Sequence, residues 1–120
     1  MSDELQAIQR AYDLTMWTLD RIGSFSKTYR IPLGDRVQDT LYTTLDLLLE
    51  AKYTRGKEKL AALNRANILL ERLRFQGRIA CDKKCLSQKQ HGHFAQLVND
   101  VGVKVGGWIK SVQPRPRARA

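Results

Sequence analysis

Apolar residues recur every three or four positions along most of this chain, and little interrupts them. That period belongs to α-helices, whose 3.6-residue turn gathers such positions onto one face. No stretch shows the two-residue alternation of a half-buried strand, and turn residues stand too far apart for an all-β domain. Four interruptions are expected: Pro32 with Gly34, then residues 53–56, then 83–87, and finally Pro114 and Pro116.

Four helical segments lie between these points. The first carries Leu5, Ile8, Tyr12, Thr15, Leu19, Ile22 and, further on, Tyr29. The second carries Val37, Leu41, Thr44 or Leu45, and Leu48. The third carries Leu60, Leu63, Ala66 or Asn67, Leu70, Leu73, Gly77 and Ala80, and the fourth Phe94, Leu97 or Val98, Val101, Val105, Trp108 and Val112. Ser2, followed by Asp3 and Glu4, suits a helix start, and Asp35 and Ser87 sit where N-caps belong. With 120 residues there is material for a single core. The expected fold is all-α: an antiparallel up-down-up-down four-helix bundle over residues 1–113, followed by a disordered basic Pro/Arg tail over 114–120. Leu14, Trp17, Phe25, Leu47, Leu49, Phe75 and Ile109 fall outside the narrow seams. Some of them would be exposed in a lone bundle, so self-association is expected.

Charge is unevenly spread. Residues 1–54 hold 6 basic and 8 acidic side chains, whereas residues 55–120 hold 15 basic and 4 acidic, giving +9 overall. A field concentrated in one half of a chain favours polyanions, nucleic acid first. No membrane partner is expected: the longest apolar run is residues 60–63, far below the roughly 20 that span a bilayer. The polar, acidic start lacks the pattern of a signal peptide, so a cytoplasmic location is expected.

Catalytic signals are weak. Cys81, Cys85, His91 and His93 fall close together, but C-x3-C-x5-H-x-H does not match the separated ligand pairs of structural zinc. Two ordinary thiols at a helix end beside two loop histidines explain them better. No Glu-x-x-His pair, GxxxxGK[ST] loop or GxGxxG turn is present. No enzyme activity, metal or cofactor is therefore expected.

The third segment carries the basic signal. Arg65 and Arg72 are seven apart on one stripe, Arg74 and Arg78 four apart on another, and Lys83 and Lys84 follow at its C-terminal end. Few acids neutralise them, and arginine's planar fork suits phosphate. In the fourth segment, Gly102 and Gly106 share one face ahead of Trp108, which fits close approach of another helix or subunit.

Residues 66–75, Ala-Asn-Ile-Leu-Leu-Glu-Arg-Leu-Arg-Phe, and 105–112, Val-Gly-Gly-Trp-Ile-Lys-Ser-Val, resemble the accessory variability determinant proteins of diversity-generating retroelements. These belong to a wider four-helix-bundle group that includes proteins encoded in intervening sequences of ribosomal RNA genes. The resemblance implies a homopentameric barrel. It also implies a partner reverse transcriptase, bound template RNA or cDNA, and adenine-mutagenised cDNA as the product of that complex. The accessory protein itself would have no catalytic site. By motif position the resemblance points to Arg72, Arg74, Arg78, Lys104 and Lys110 as contacts for the enzyme or the nucleic acid, and to Trp108 as a packing residue. The alternative it leaves is a ribosomal-RNA-associated bundle with no reverse-transcriptase partner.

Overall fold

The computed structural model describes residues 2–113, so the expected basic tail at 114–120 lies outside the described residues. Four long helices account for nearly all of it: α1 (Asp3–Ile22), α3 (Arg36–Tyr53), α4 (Gly56–Asp82) and α5 (Gln88–Val112). A one-turn helix, α2 (Lys27–Tyr29), and a π-helical turn (Arg30–Asp35) lead directly into α3. Each long helix packs on two others, in the closed order α1–α3–α4–α5–α1. The cross-section of 23 × 23 Å is two helix diameters each way, a square four-helix bundle.

The first reversal is not where the prolines suggest. α1 ends at Ile22 and the chain turns through residues 23–26, where Phe25 is buried as a plug. Helical backbone then runs from Lys27 through Pro32 and Gly34 to Tyr53. Proline lacks an N–H and crowds the carbonyl one turn back. The wider π turn takes up that defect, which is why Pro32 offsets the helix instead of ending it. Gly34 has a different role from a breaker: a Cβ there would stand 2.9 Å from Ile22 Cγ2, so its lack of a side chain lets the π turn lie on the end of α1. Asp35 is consequently inside a helix, with φ −63° and ψ −39°, and caps nothing.

The other two reversals match the sequence. Thr54 and Arg55 alone separate α3 from α4, and Gly56 opens α4 at φ +58°, a conformation that favours glycine. At the end of α4 the Lys84 N–H donates to the Cys81 carbonyl (3.0 Å) and the Cys85 N–H to the Ala80 carbonyl (2.8 Å). These are the paired bonds of a Schellman stop, here with Lys84 at φ 62° in the usual glycine position. Ser87 and Gln90 form a reciprocal capping box at the start of α5, and the Ser2 hydroxyl accepts from the Leu5 N–H at the start of α1.

The seams of α3, α4 and α5 bury the apolar rows expected of them, from Val37 to Leu48, Leu63 to Ala80 and Phe94 to Trp108. α1 differs. Its buried side is Ala7, Ala11, Leu14, Thr15, Thr18 and Ile22, while Leu5 and Tyr12, expected inside, are about half exposed. Small side chains let α1 sit close to its neighbours, and both threonine hydroxyls are satisfied within the helix: Thr15 donates to the Ala11 carbonyl (2.8 Å), Thr18 to that of Leu14 (2.7 Å). The α1 seam is thus rotated from the greasiest stripe to the smallest one. Of the surplus apolar residues, Leu14, Phe25 and Leu47 are core, Trp17 and Ile109 half-buried, and Leu49 and Phe75 exposed.

Candidate nucleic-acid and partner surface

The core rows of α4 fix where its cations point. Leu63, Ala66, Leu70, Leu73, Gly77 and Ala80 face inward, so Arg65, Arg72 and Arg78 stand outward with exposed side chains. None of these three forms an ion pair among the described residues. The Arg78 guanidinium lies 5.5 Å from the centre of the exposed Phe75 ring. Arg74 is placed differently: it pairs with Glu71 at 3.0 Å and lies across α5. A Cβ on Gly102 would come within 3.2 Å of the Arg74 guanidinium, so this glycine seats an arginine. Lys104 pairs with Asp3 at 3.7 Å, tying α5 to the start of α1. Lys83, Lys84 and Lys110 are exposed and make no ion pair among the described residues. The basic candidates therefore lie on two exposed faces of α4, Arg65 with Arg72 on one and Arg78 on another, with a cluster at its C-terminal end and two lysines on α5.

A Cβ added at Gly106 would meet nothing within 4 Å, whereas Trp108 is buried with Lys59 5.7 Å from its ring centre. At Gly77 a Cβ would fall 2.6 Å from the buried Phe94 ring, so this glycine makes room for an α5 side chain. Gly107 leaves room for the Asp3 carboxylate. Neither contact is visible in the sequence, because each depends on the angle at which one helix crosses another.

A groove of about 880 Å³ runs between the π turn and α4. Tyr29, Pro32, Phe75 and Ile79 supply apolar wall, and Arg36 and Arg72 supply charge. Gln76 donates to Thr40 Oγ1 at 3.0 Å, and Thr40 gives its own proton to the Arg36 carbonyl at 2.9 Å. The hydroxyl is thus an acceptor toward Gln76, which orients the amide and leaves Gln76 Oε1 buried with no partner among the described residues. Sequence reasoning missed this groove, because it is made by the π turn.

Cys81 and Cys85 are half-buried free thiols on the Schellman stop. His93 packs 5.0 Å from Trp17, whose ring also carries the Arg21 guanidinium at 5.2 Å. Among the described residues no three His, Cys, Asp or Glu side chains are grouped to hold a metal ion. No helix among them is long and apolar enough to cross a membrane.

Neither a search of curated proteins nor one of solved structures gives a match. A protein-family model described as bAvd-like matches residues 6–112, which covers all four long helices. A match of that extent, on a helical bundle of the expected kind, places the chain in the bAvd-like family, the family of accessory variability determinants.

Proposed function

We propose that this chain is the non-catalytic accessory subunit of a diversity-generating retroelement, binding the element's reverse transcriptase and its template RNA or cDNA so that mutagenic cDNA is made. The family match over residues 6–112 carries this reading. The charge distribution agrees with it: the +9 net charge comes from the half of the chain that forms α4, α5 and the tail. Arg65, Arg72, Arg74, Arg78, Lys83, Lys84, Lys104 and Lys110 are the proposed contacts for the enzyme and the nucleic acid. Gly102, Gly106 and Trp108 are proposed as helix-packing or subunit-interface positions, Gly106 on the open side of α5. Assembly as a homopentameric ring would multiply the charge and give steep salt dependence to nucleic-acid binding. The proposed site of action is the cytoplasm.

A host strain deleted for this gene tests the proposal. Adenine-mutagenised cDNA should disappear and return with the wild-type gene on a plasmid. Undiminished mutagenic cDNA in the deletion strain would refute it.

A further inference from the structure

The turn between α3 and α4 presents an aromatic ring among unpaired cations. Tyr53, the last residue of α3, is 78% exposed, more than any other large hydrophobic side chain among the described residues. Lys52 Nζ lies 5.3 Å from the centre of its ring and so covers one face. At that exposure the other face is open to solvent. Lys52, Arg55, Lys57 and Lys59 follow closely on one another, with Glu58 the one acid between them. None of the four cations forms an ion pair among the described residues. Lys59 reaches the Trp108 ring at 5.7 Å, which brings the last turns of α5, with exposed Lys110, to the same end of the bundle. Asp3 at this end is paired with Lys104, so these cations outnumber the acids left beside them, Glu4, Glu50 and Glu58.

The ring is held on a short, fixed connection. Thr54 and Arg55 are both extended, and Gly56 takes φ +58° to open α4. The Thr54 hydroxyl donates to the Glu50 carbonyl at 2.9 Å, which satisfies one of the last acceptors of α3 and ties the turn to it. A ligand that lies on Tyr53 therefore has little backbone to order, and ordering is a main cost of binding.

We propose that Tyr53 is a stacking platform for an unpaired base of a single-stranded nucleic acid, with Lys52, Arg55 and Lys57 holding the phosphates on either side of it. This rests on the nucleic-acid binding included in the proposed function and names the kind of strand this end of the bundle takes. Charge alone attracts duplex and single strand alike. An open aromatic face does not. In a duplex each base face is covered by its neighbours, and only base edges reach the grooves. A tyrosine face is thus usable by an unpaired base alone, and by any of the bases, since all have a π face. The site selects strand state without reading sequence, a task apart from that of Lys83 and Lys84 at the other end of α4.

The experiment is fluorescence anisotropy of the full chain with three DNA probes of about 12 nucleotides, a length within the range of known single-strand sites. One is a mixed-sequence single strand, one its blunt duplex, and one an abasic strand of the same length and charge. Circular dichroism confirms that each variant is helical. Tyr53→Ala should weaken binding of the single strand by at least about fivefold, and leave the duplex and the abasic strand within about twofold. Its salt slope should match the wild type, because no charge is removed. Tyr53→Phe keeps the ring and should keep the affinity. Arg55→Glu/Lys57→Glu should weaken all three probes and make the slope shallower by about 2. A folded Tyr53→Ala variant that binds the single strand as the wild type does, or that loses duplex and single strand equally, overturns the stacking site while leaving nucleic-acid binding standing. A wild-type chain that binds none of the probes at low salt overturns nucleic-acid binding itself.

Discussion

Two helical glycines should respond to the same substitution with opposite sign. At Gly77 a Cβ would lie 2.6 and 2.7 Å from two carbons of the Phe94 ring, which is only 1% exposed. Real Cβ atoms do not approach that closely, so the ring or the helix must move. Overpacking of this kind costs about 1–3 kcal/mol. Alanine returns about 1 kcal/mol of helix propensity. The difference leaves Gly77→Ala destabilised by up to about 2 kcal/mol. At Gly92, in the exposed first turns of α5, nothing stands within 4 Å. Gly92→Ala therefore keeps the propensity term alone and should stabilise by about 0.5–1 kcal/mol. Urea unfolding followed at 222 nm, at one fixed protein concentration, reads both. With a slope of about 1.5 kcal/mol per molar urea, the midpoints should fall by up to about 1.3 M and rise by about 0.5 M respectively. Midpoints that move in the same direction would refute the claim that helix contact, and not backbone freedom, governs Gly77.

Ser87→Ala removes half of the capping box on α5 and should cost about 1 kcal/mol in the same urea assay. Lys84→Gly relieves a non-glycine residue at φ 62° and should raise the midpoint, stabilising by about 1 kcal/mol. For nucleic acid, the double change Lys83→Glu/Lys84→Glu should weaken binding without loss of helix. Fluorescence anisotropy across a salt series should show a slope shallower by about 2.

The residues themselves explain how far sequence reasoning reached. The α4 and α5 seams were legible because their inward positions are filled by Leu, Val, Phe and Trp at helical spacing. The α1 seam was not, because Ala7, Ala11 and Thr18 score as unremarkable while Leu5 and Tyr12 score as core. What decides there is fit: a close helix approach rewards small side chains, and a threonine hydroxyl can be satisfied by its own helix. Pro32 misled for a related reason, since proline's cost depends on whether the backbone can widen around it. On the surface, the α4 arginines were visible as charge. Their setting was not: Arg74 seated over Gly102, Arg78 against Phe75, and Asp39 and Asp46 left unpaired on the neighbouring helix all require the packed bundle.

The central claim is a partnership with a reverse transcriptase. An affinity-tagged copy expressed at native level in the host, recovered with and without nuclease and read by mass spectrometry, tests it directly. The account predicts that the reverse transcriptase co-purifies and survives nuclease treatment, through direct protein contact. Recovery of ribosomal proteins with no reverse transcriptase in either sample would contradict it.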